Sequence, residues 1–99
     1  MERELKSVVW DKWLNSEIDS VTLFFSHDTA ECLVDMYDVP ENELYDIQYS
    51  SRESNGEIVY LEIVNPSVYA KAKHPILSDF TFNVDGKEET LPYFIKRIA

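Results

Sequence analysis

The pair Asn55-Gly56 lies between two segments in which apolar and polar residues alternate, and this arrangement is typical of a β-hairpin. With a two-residue loop, the apolar residues of the two strands would point to opposite faces of the hairpin. A three-residue loop over residues 54–56 brings them to one face, which can then be buried, so we predict that loop. The cross-strand pairs of this register are Ile47–Ile63, Tyr49–Leu61 and Glu53–Glu57.

Alternation continues on both sides of this hairpin and predicts an antiparallel β structure. Asp85-Gly86 marks a second tight turn, which leads into a strand over residues 87–91. Pro92 interrupts that strand, so we predict an edge strand or a bent continuation over residues 93–98. Helical signals are short: a capping-box pattern at 38–41 and a turn of helix at 67–73. The other predicted strands cover residues 21–25, 32–37, 45–50 and 80–84.

The N-terminal segment has two interpretations. Over residues 2–14, apolar residues recur at positions i, i+3, i+4 and i+8 from Leu5, which is the spacing of an amphipathic helix. The β-branched and aromatic residues at 7–13 favour a strand instead. We predict the helix. The expected fold class is therefore α+β: an antiparallel sheet of five to six strands, as a sandwich or a partly closed barrel, with one N-terminal helix.

A chain of 99 residues is long enough for one domain and too short for two, so residues 1–99 are predicted to form a single domain. An apolar fraction of 44% supports a core that needs no metal or disulfide. Cys32 has no second cysteine to pair with. The sequence begins without the apolar run of a signal peptide, and it has no stretch of roughly 18 apolar residues. We therefore expect a soluble, cytoplasmic protein.

Charge is distributed unevenly along the chain. Between Lys12 and Arg52 there are nine carboxylates and no basic residue. Up to Glu62 there are twelve carboxylates against Arg52 alone, a net charge of −11, whereas the rest of the chain has seven acidic and eight basic residues. A surface with this charge repels nucleic acid and anionic lipid. We expect no direct binding to either, and a basic protein as the partner.

The residue types of several catalytic and metal sites occur, but not in the arrangements that such sites need. Ser26-His27-Asp28 are consecutive and cannot form the hydrogen-bond relay of a hydrolytic triad. His27, Asp28, Glu31 and Cys32 lack the paired spacing of a zinc site. Gly56 is an isolated hairpin residue and not part of a phosphate-binding loop. We therefore predict no enzymatic activity, no cofactor and no metal.

The acidic stretch has two interpretations: it maintains solubility, or it recognises a basic surface. The tyrosines within the stretch fit recognition, because tyrosine is common at interface centres, and they fit positions in the core or at a barrel rim equally well. Alternate strand residues lie about 6.6 Å apart, so the pairs Glu31–Asp35 and Glu41–Glu43 would resemble a row of phosphates and mimic nucleic acid. The predicted partner-binding residues are Asp28, Glu31, Asp35, Asp38, Glu41, Glu43, Asp46, Tyr37 and Tyr45.

We predict a small, non-enzymatic inhibitor that covers the basic surface of a nuclease, a nucleic-acid-binding protein or a toxin. In size and charge alone the chain resembles phage- and plasmid-type inhibitors and toxin immunity proteins, and this resemblance assigns no residues. The alternative is a small structural subunit of a larger phage- or plasmid-type assembly. That subunit would dock through a β edge or through aromatic contacts of Trp10, Trp13 and Tyr93. The sequence leaves the oligomeric state undetermined.

Overall fold

The computed structural model describes residues 3–12 and 19–98. The strands of its main sheet are β1 (Ser7–Lys12), β2 (Asp19–Phe24), β3 (Cys32–Met36), β4 (Asp46–Arg52) and β5 (Ile58–Val64). They are all antiparallel, in the spatial order β1-β2-β5-β4-β3. The predicted α+β class and antiparallel sheet are confirmed. The sheet is open, with β1 and β3 as its edges, and is not a partly closed barrel.

The remaining elements are α1 (Pro66–Lys71), β6 (Thr81–Val84), β7 (Lys87–Thr90) and α2 (Leu91–Ile98). Strands β6 and β7 form the predicted hairpin through Asp85-Gly86, where the φ angles are +51° and +85°. Two positive φ angles characterise a type I′ turn, whose twist matches that of the strands. Both helices and the hairpin pack against one face of the main sheet.

The core lies between that face and the layer formed by α1, β6, β7 and α2, which we call the cover. Successive side chains on a strand point to opposite faces, so every second residue of β2, β4 and β5 is directed inward. Side chains on the opposite face, such as Thr22, Gln48 and Glu62, do not belong to the core cluster. From the sheet, the core cluster includes the fully buried residues Val21, Leu23, Ile47, Leu61 and Ile63. From the cover the core receives Tyr69, Phe82, Leu91, Phe94 and Ile95.

The N-terminal residues connect the hairpin to the sheet. The Leu5 amide donates to the Asn83 carbonyl at 2.9 Å, and the Asn83 amide donates to the Arg3 carbonyl at 2.7 Å. The Arg3 guanidinium donates to the Thr81 carbonyl at 2.9 Å and lies 4.1 Å from the centre of the Phe80 ring. A cation over an aromatic face is attracted by the ring quadrupole. Arg3 therefore anchors the start of the chain to the covering layer.

The predicted register of the central hairpin is confirmed in its interior, where Ile47 pairs with Ile63 and Tyr49 with Leu61. The loop itself differs from the prediction. A bulge at residues 50–51 shifts the pairing, and the Arg52 amide donates to the Glu57 carbonyl, so the loop comprises the four residues 53–56. The predicted three-residue loop is therefore wrong. The bulge places an arginine, and not Glu53, beside Glu57, which avoids the repulsion of two opposed carboxylates.

The predicted N-terminal helix is wrong within the described residues, and the alternative strand is confirmed over Ser7–Lys12. The ends of the proposed helix, residue 2 and residues 13–14, lie outside the described part of the chain. All six residues of β1 pair with β2. The β-branched and aromatic side chains of Val8, Val9 and Trp10 suit a pleated surface. Hydrogen bonding along β2 stabilises this segment as a strand more than its helical spacing of apolar residues stabilises a helix.

The C-terminal segment is a helix and not the predicted strand. Pro92 is the second residue of α2, where its missing N–H costs no intrahelical hydrogen bond. Leu91, Phe94, Ile95 and Ile98 follow the i, i+3, i+4, i+7 spacing, and the first three are buried. In the chain as described, the other helix is α1, which overlaps the predicted turn at 67–73. No helix forms at 38–41, where the Glu43 amide instead donates to the Pro40 carbonyl.

Candidate functional site

The negative charge belongs to the sheet layer. Residues 19–64, which include β2 to β5, contain eleven carboxylates and one basic residue, Arg52. Residues 66–98, which form the cover, contain five basic and four acidic residues. The net charge is therefore −10 in the first segment and +1 in the second. One layer of the molecule is strongly acidic and the other is nearly neutral.

Six of the seven predicted acidic residues lie in two groups at opposite ends of β3. Asp28 and Glu31 precede the strand at its Cys32 end, which pairs with Arg52. A strand rises about 3.4 Å per residue, so the five residues of β3 separate its ends by about 14 Å. Beyond the Met36 end lie Asp38, Glu41 and Glu43 in the connection to β4, and Asp46 as the first residue of β4; we call these four residues the acidic loop. Asp35 lies within β3 itself.

Arg52 neutralises part of the charge at the Cys32 end. Its guanidinium lies 3.7 Å from the Asp28 carboxylate and donates to the Asp28 carbonyl at 3.1 Å. It also donates to the Ser26 hydroxyl at 2.8 Å. Glu31 is exposed, with a positive φ of 55°. Because Asp28 already has a cationic partner, this end of the sheet is less suited to attract a basic protein.

The acidic loop has no such partner. Among the side chains of residues 3–11 and 19–98, none of its four carboxylates forms an ion pair with a lysine or arginine. Asp38, Glu41 and Asp46 are exposed, and Glu43 is half-buried. The Asn65 side-chain amide donates to the Leu44 carbonyl at 2.9 Å and anchors the loop to the start of α1. The charge is thus presented on a loop that the rest of the fold holds in place.

The two predicted tyrosines have structural roles. Tyr45 is only 3% exposed, and its ring packs edge-on against Tyr69 with centroids 5.2 Å apart. Its side chain is in the core and is not available to a partner. Tyr37 is half-buried and its ring centroid is 4.5 Å from that of Tyr49. Burial raises the pKa of the Tyr37 hydroxyl, and the neighbouring Tyr49 raises it further.

The regular carboxylate rows expected for nucleic-acid mimicry do not lie on strands. Glu31 precedes β3 and its left-handed backbone interrupts the alternation with Asp35. Glu41 and Glu43 belong to the acidic loop, where the backbone turns at Pro40. The strand spacing of about 6.6 Å therefore describes neither pair. Any charge matching with a partner depends on the loop conformation.

Sequence reasoning named a β edge and Trp10 for the subunit alternative, but it did not identify which strands form the apolar edges of the sheet. On β3, Leu33 and Val34 are each 57% exposed and Met36 is 55% exposed. On β1, the apolar residues Val8, Val9 and Trp10 are 40–44% exposed. Exposed edges are normally protected by charged residues or proline. The signal was present in the sequence as consecutive apolar residues, but only the strand order identifies these strands as edges.

The described residues contain no group of three or more histidine, cysteine or acidic side chains placed to hold a metal ion. The Cys32 thiol donates to the Ala30 carbonyl, with the sulfur 3.5 Å from the oxygen. A surface depression beside α2 is lined by Glu89, Tyr93 and Arg97. There one terminal nitrogen of the Arg97 guanidinium donates to both Glu89 carboxylate oxygens, at 2.7 and 2.8 Å, so the cation already has an anionic partner.

Within the described part of the chain, neither helix has the length or apolar character that a membrane crossing requires. Comparison of the chain with protein-family models, curated proteins and solved structures found no match.

Proposed function

We propose that this chain is a non-enzymatic binding protein whose acidic sheet layer covers a basic, nucleic-acid-binding-type surface on a partner protein. The acidic loop makes the main electrostatic contact. Asp35 and the apolar edge of β3 extend the contact along the sheet. A nuclease, a nucleic-acid-binding protein or a basic toxin has the surface that this charge would attract.

One observation carries the proposal: three of the four acidic-loop carboxylates are exposed and, among the described side chains, none of the four is paired with lysine or arginine. Acids that serve only solubility are usually interspersed with basic residues. Here the basic residues lie mainly in the covering layer, in α1, α2 and the segments next to them. This separation preserves a local negative potential, which speeds the encounter with a basic partner.

The test is a double charge reversal with a matched control. Asp38→Lys with Glu41→Lys changes the net charge of the acidic loop by +4. Asp79→Lys with Glu88→Lys makes the same change on exposed residues of the covering layer. Wild-type protein captures its partner from a lysate of its native host at 50 mM salt and loses it at 300 mM salt, where screening is stronger. The captured protein then binds a labelled nucleic acid, and the wild type displaces that label.

The loop variant should need at least tenfold more protein to displace the label, and the control variant should match the wild type. Thermal unfolding should be similar for all three, since the substituted residues are exposed. Equal effects of the two variants would mean that net charge, and not the acidic loop, determines binding. A captured partner that is retained at high salt and has no affinity for nucleic acid would contradict the proposal.

The structural-subunit alternative is favoured by a different observation, the apolar edge formed by Val8, Val9 and Trp10 on β1. This strand lies outside the acidic segment, so association through it would not bring two acidic layers together. Sedimentation velocity distinguishes the alternatives. A subunit would form a salt-insensitive oligomer that Val9→Lys disrupts, whereas the inhibitor would sediment as a species unaffected by that substitution.

A further inference from the structure

The backbone of β3 presents hydrogen-bonding groups along its outer side. The Tyr37 amide donates to the Ile47 carbonyl of β4 at 2.9 Å, so odd-numbered residues of this segment face the sheet. In an antiparallel pair, successive residues direct their N–H and C=O groups to alternate sides. Cys32, Val34 and Met36 therefore direct theirs outward. Because β3 is an edge strand, no other strand of the described chain pairs with the outward side of Val34.

Asp35 is placed to protect only part of this edge. One carboxylate oxygen accepts the outward-facing Met36 amide at 2.8 Å, and the other accepts the Tyr49 hydroxyl at 3.4 Å. The Met36 donor is thus occupied within the chain. The outward N–H and C=O groups of Cys32 and Val34 are left, and those of Val34 form the donor–acceptor pair nearest the middle of the strand. A strand added at this edge would form its first hydrogen-bonded pair with Val34.

The side chains beside this pair define the chemistry of the occupant. Leu33, Val34 and Met36 are all more than half exposed, and they offer apolar contact on both faces of the edge. Asp35 is the only charged residue of β3, and it lies at the outer edge. An incoming strand therefore needs an apolar side chain opposite Val34 and a cationic side chain opposite Asp35.

Charge decides between the possible occupants. A second copy of this chain would bring another acidic layer, with a net charge of −10 over residues 19–64, against the first. Glu31 and Asp38 flank β3 on either side and would repel it as well. A basic segment is attracted by the same groups. The edge of β3 is therefore suited to a cationic strand and unsuited to self-pairing.

We propose that β3 binds an extended segment of the partner in which lysine or arginine alternates with aliphatic residues, adding a sixth strand to the sheet. This inference rests on the proposed function and names the part of the partner that is recognised. Backbone hydrogen bonds to Val34 fix the register, and Asp35 pairs with a basic side chain. The acidic loop then attracts the remainder of the basic surface.

The experiment measures binding of a labelled, end-blocked seven-residue peptide that alternates lysine with valine, by fluorescence anisotropy at low salt. Two further peptides have the same charge but are N-methylated on either all valines or all lysines. Only alternate amides of an added strand face the sheet. One methylated peptide should therefore lose at least tenfold in affinity, and the other should bind like the parent.

Two variants of the protein test the same edge. Val34→Pro removes the outward N–H and leaves the hydrogen bonds to β4 in place, so it is tolerated at an edge position. It should weaken binding at least tenfold. Asp35→Asn should weaken binding several-fold, while Asp79→Asn, with the same change of charge, should not. If Val34→Pro impairs folding, the two methylated peptides still test strand addition on the wild type.

Equal affinity of both methylated peptides would overturn strand addition, and the proposed function would stand on charge alone. Conversion of a wild-type dimer into a monomer by Val34→Pro would show that a second copy occupies the edge, and would also overturn the inference. Absence of binding by the parent peptide at millimolar concentration would reject the cationic strand. The capture experiment on the acidic loop is independent of all three outcomes.

Discussion

Two adjacent tyrosines should respond in opposite ways to loss of the hydroxyl group. Tyr69 is fully buried, and its hydroxyl donates to the Ile76 carbonyl at 2.6 Å. The backbone of Ile76 also lies close enough to the Tyr45 hydroxyl to offset part of the rise that burial causes in the pKa of Tyr45. In the described structure, however, that hydroxyl forms no hydrogen bond of ordinary geometry. Tyr69→Phe thus removes a hydrogen bond, whereas Tyr45→Phe removes only a buried hydroxyl.

The magnitudes follow from the cost of unpaired buried polar groups. Tyr69→Phe leaves the Ile76 carbonyl without its donor and should cost about 1–3 kcal/mol of unfolding free energy. In a domain of this size each kcal/mol lowers Tm by about 4–8 °C. Tyr45→Phe removes a desolvated hydroxyl and should change stability by less than about 0.5 kcal/mol, or raise it. Tyr45→Phe should also leave partner binding unchanged, because the side chain is in the core.

Urea unfolding followed by circular dichroism measures the free energy of unfolding of both variants. An unchanged slope of that free energy against urea concentration would indicate an unchanged native state. Burial raises the pKa of Tyr69 above its ordinary value of about 10, so the folded state favours the protonated hydroxyl. Its contribution to stability is complete below pH 10 and is lost as the pH rises above that value. Tyr69→Phe should flatten this alkaline loss. Equal destabilisation by the two variants would refute the reasoning.

Two further predictions concern stability away from this pair. Arg3→Ala removes the cation over Phe80 and the hydrogen bond to Thr81, and should lower the free energy of unfolding by about 1–2 kcal/mol. Arg3→Lys keeps a cation at this position and should lower the free energy of unfolding less. Thermal unfolding measures both, and an unaffected Tm would show that the N-terminus does not anchor the cover. Ser50 is 1% exposed and, among the described residues, its hydroxyl lacks a partner, so Ser50→Ala should be neutral or stabilising by up to about 1 kcal/mol. A decrease in the free energy of unfolding of more than about 1 kcal/mol, measured by urea unfolding, would show that the Ser50 hydroxyl does form a stabilising hydrogen bond.

The sequence gives the charge of residues 19–64 but not their arrangement in space, so only the structure shows how the predicted site residues are placed. The acidic residues are close in the chain, yet antiparallel pairing of β3 with β4 places Asp28 and Asp38 at opposite ends of a strand. Tyr45 is of a residue type that is common at interfaces, but its side chain is buried in the core. The edge role of β3 depends on strand order, which is set by contacts distant in sequence.

The sequence by itself determined the central hairpin, the second hairpin at Asp85-Gly86 and the shared face of Ile47 and Leu61, because turn residues and alternate burial act over a few positions. The tertiary structure decided what short segments become. Residues 7–12 are a strand because β2 offers a pairing partner, and residues 91–98 are a helix because the sheet offers an apolar face to cover. In these two segments the local preferences for helix and for strand differ by less than the free energy of long-range pairing and burial. Only the assembled fold therefore selects between helix and strand.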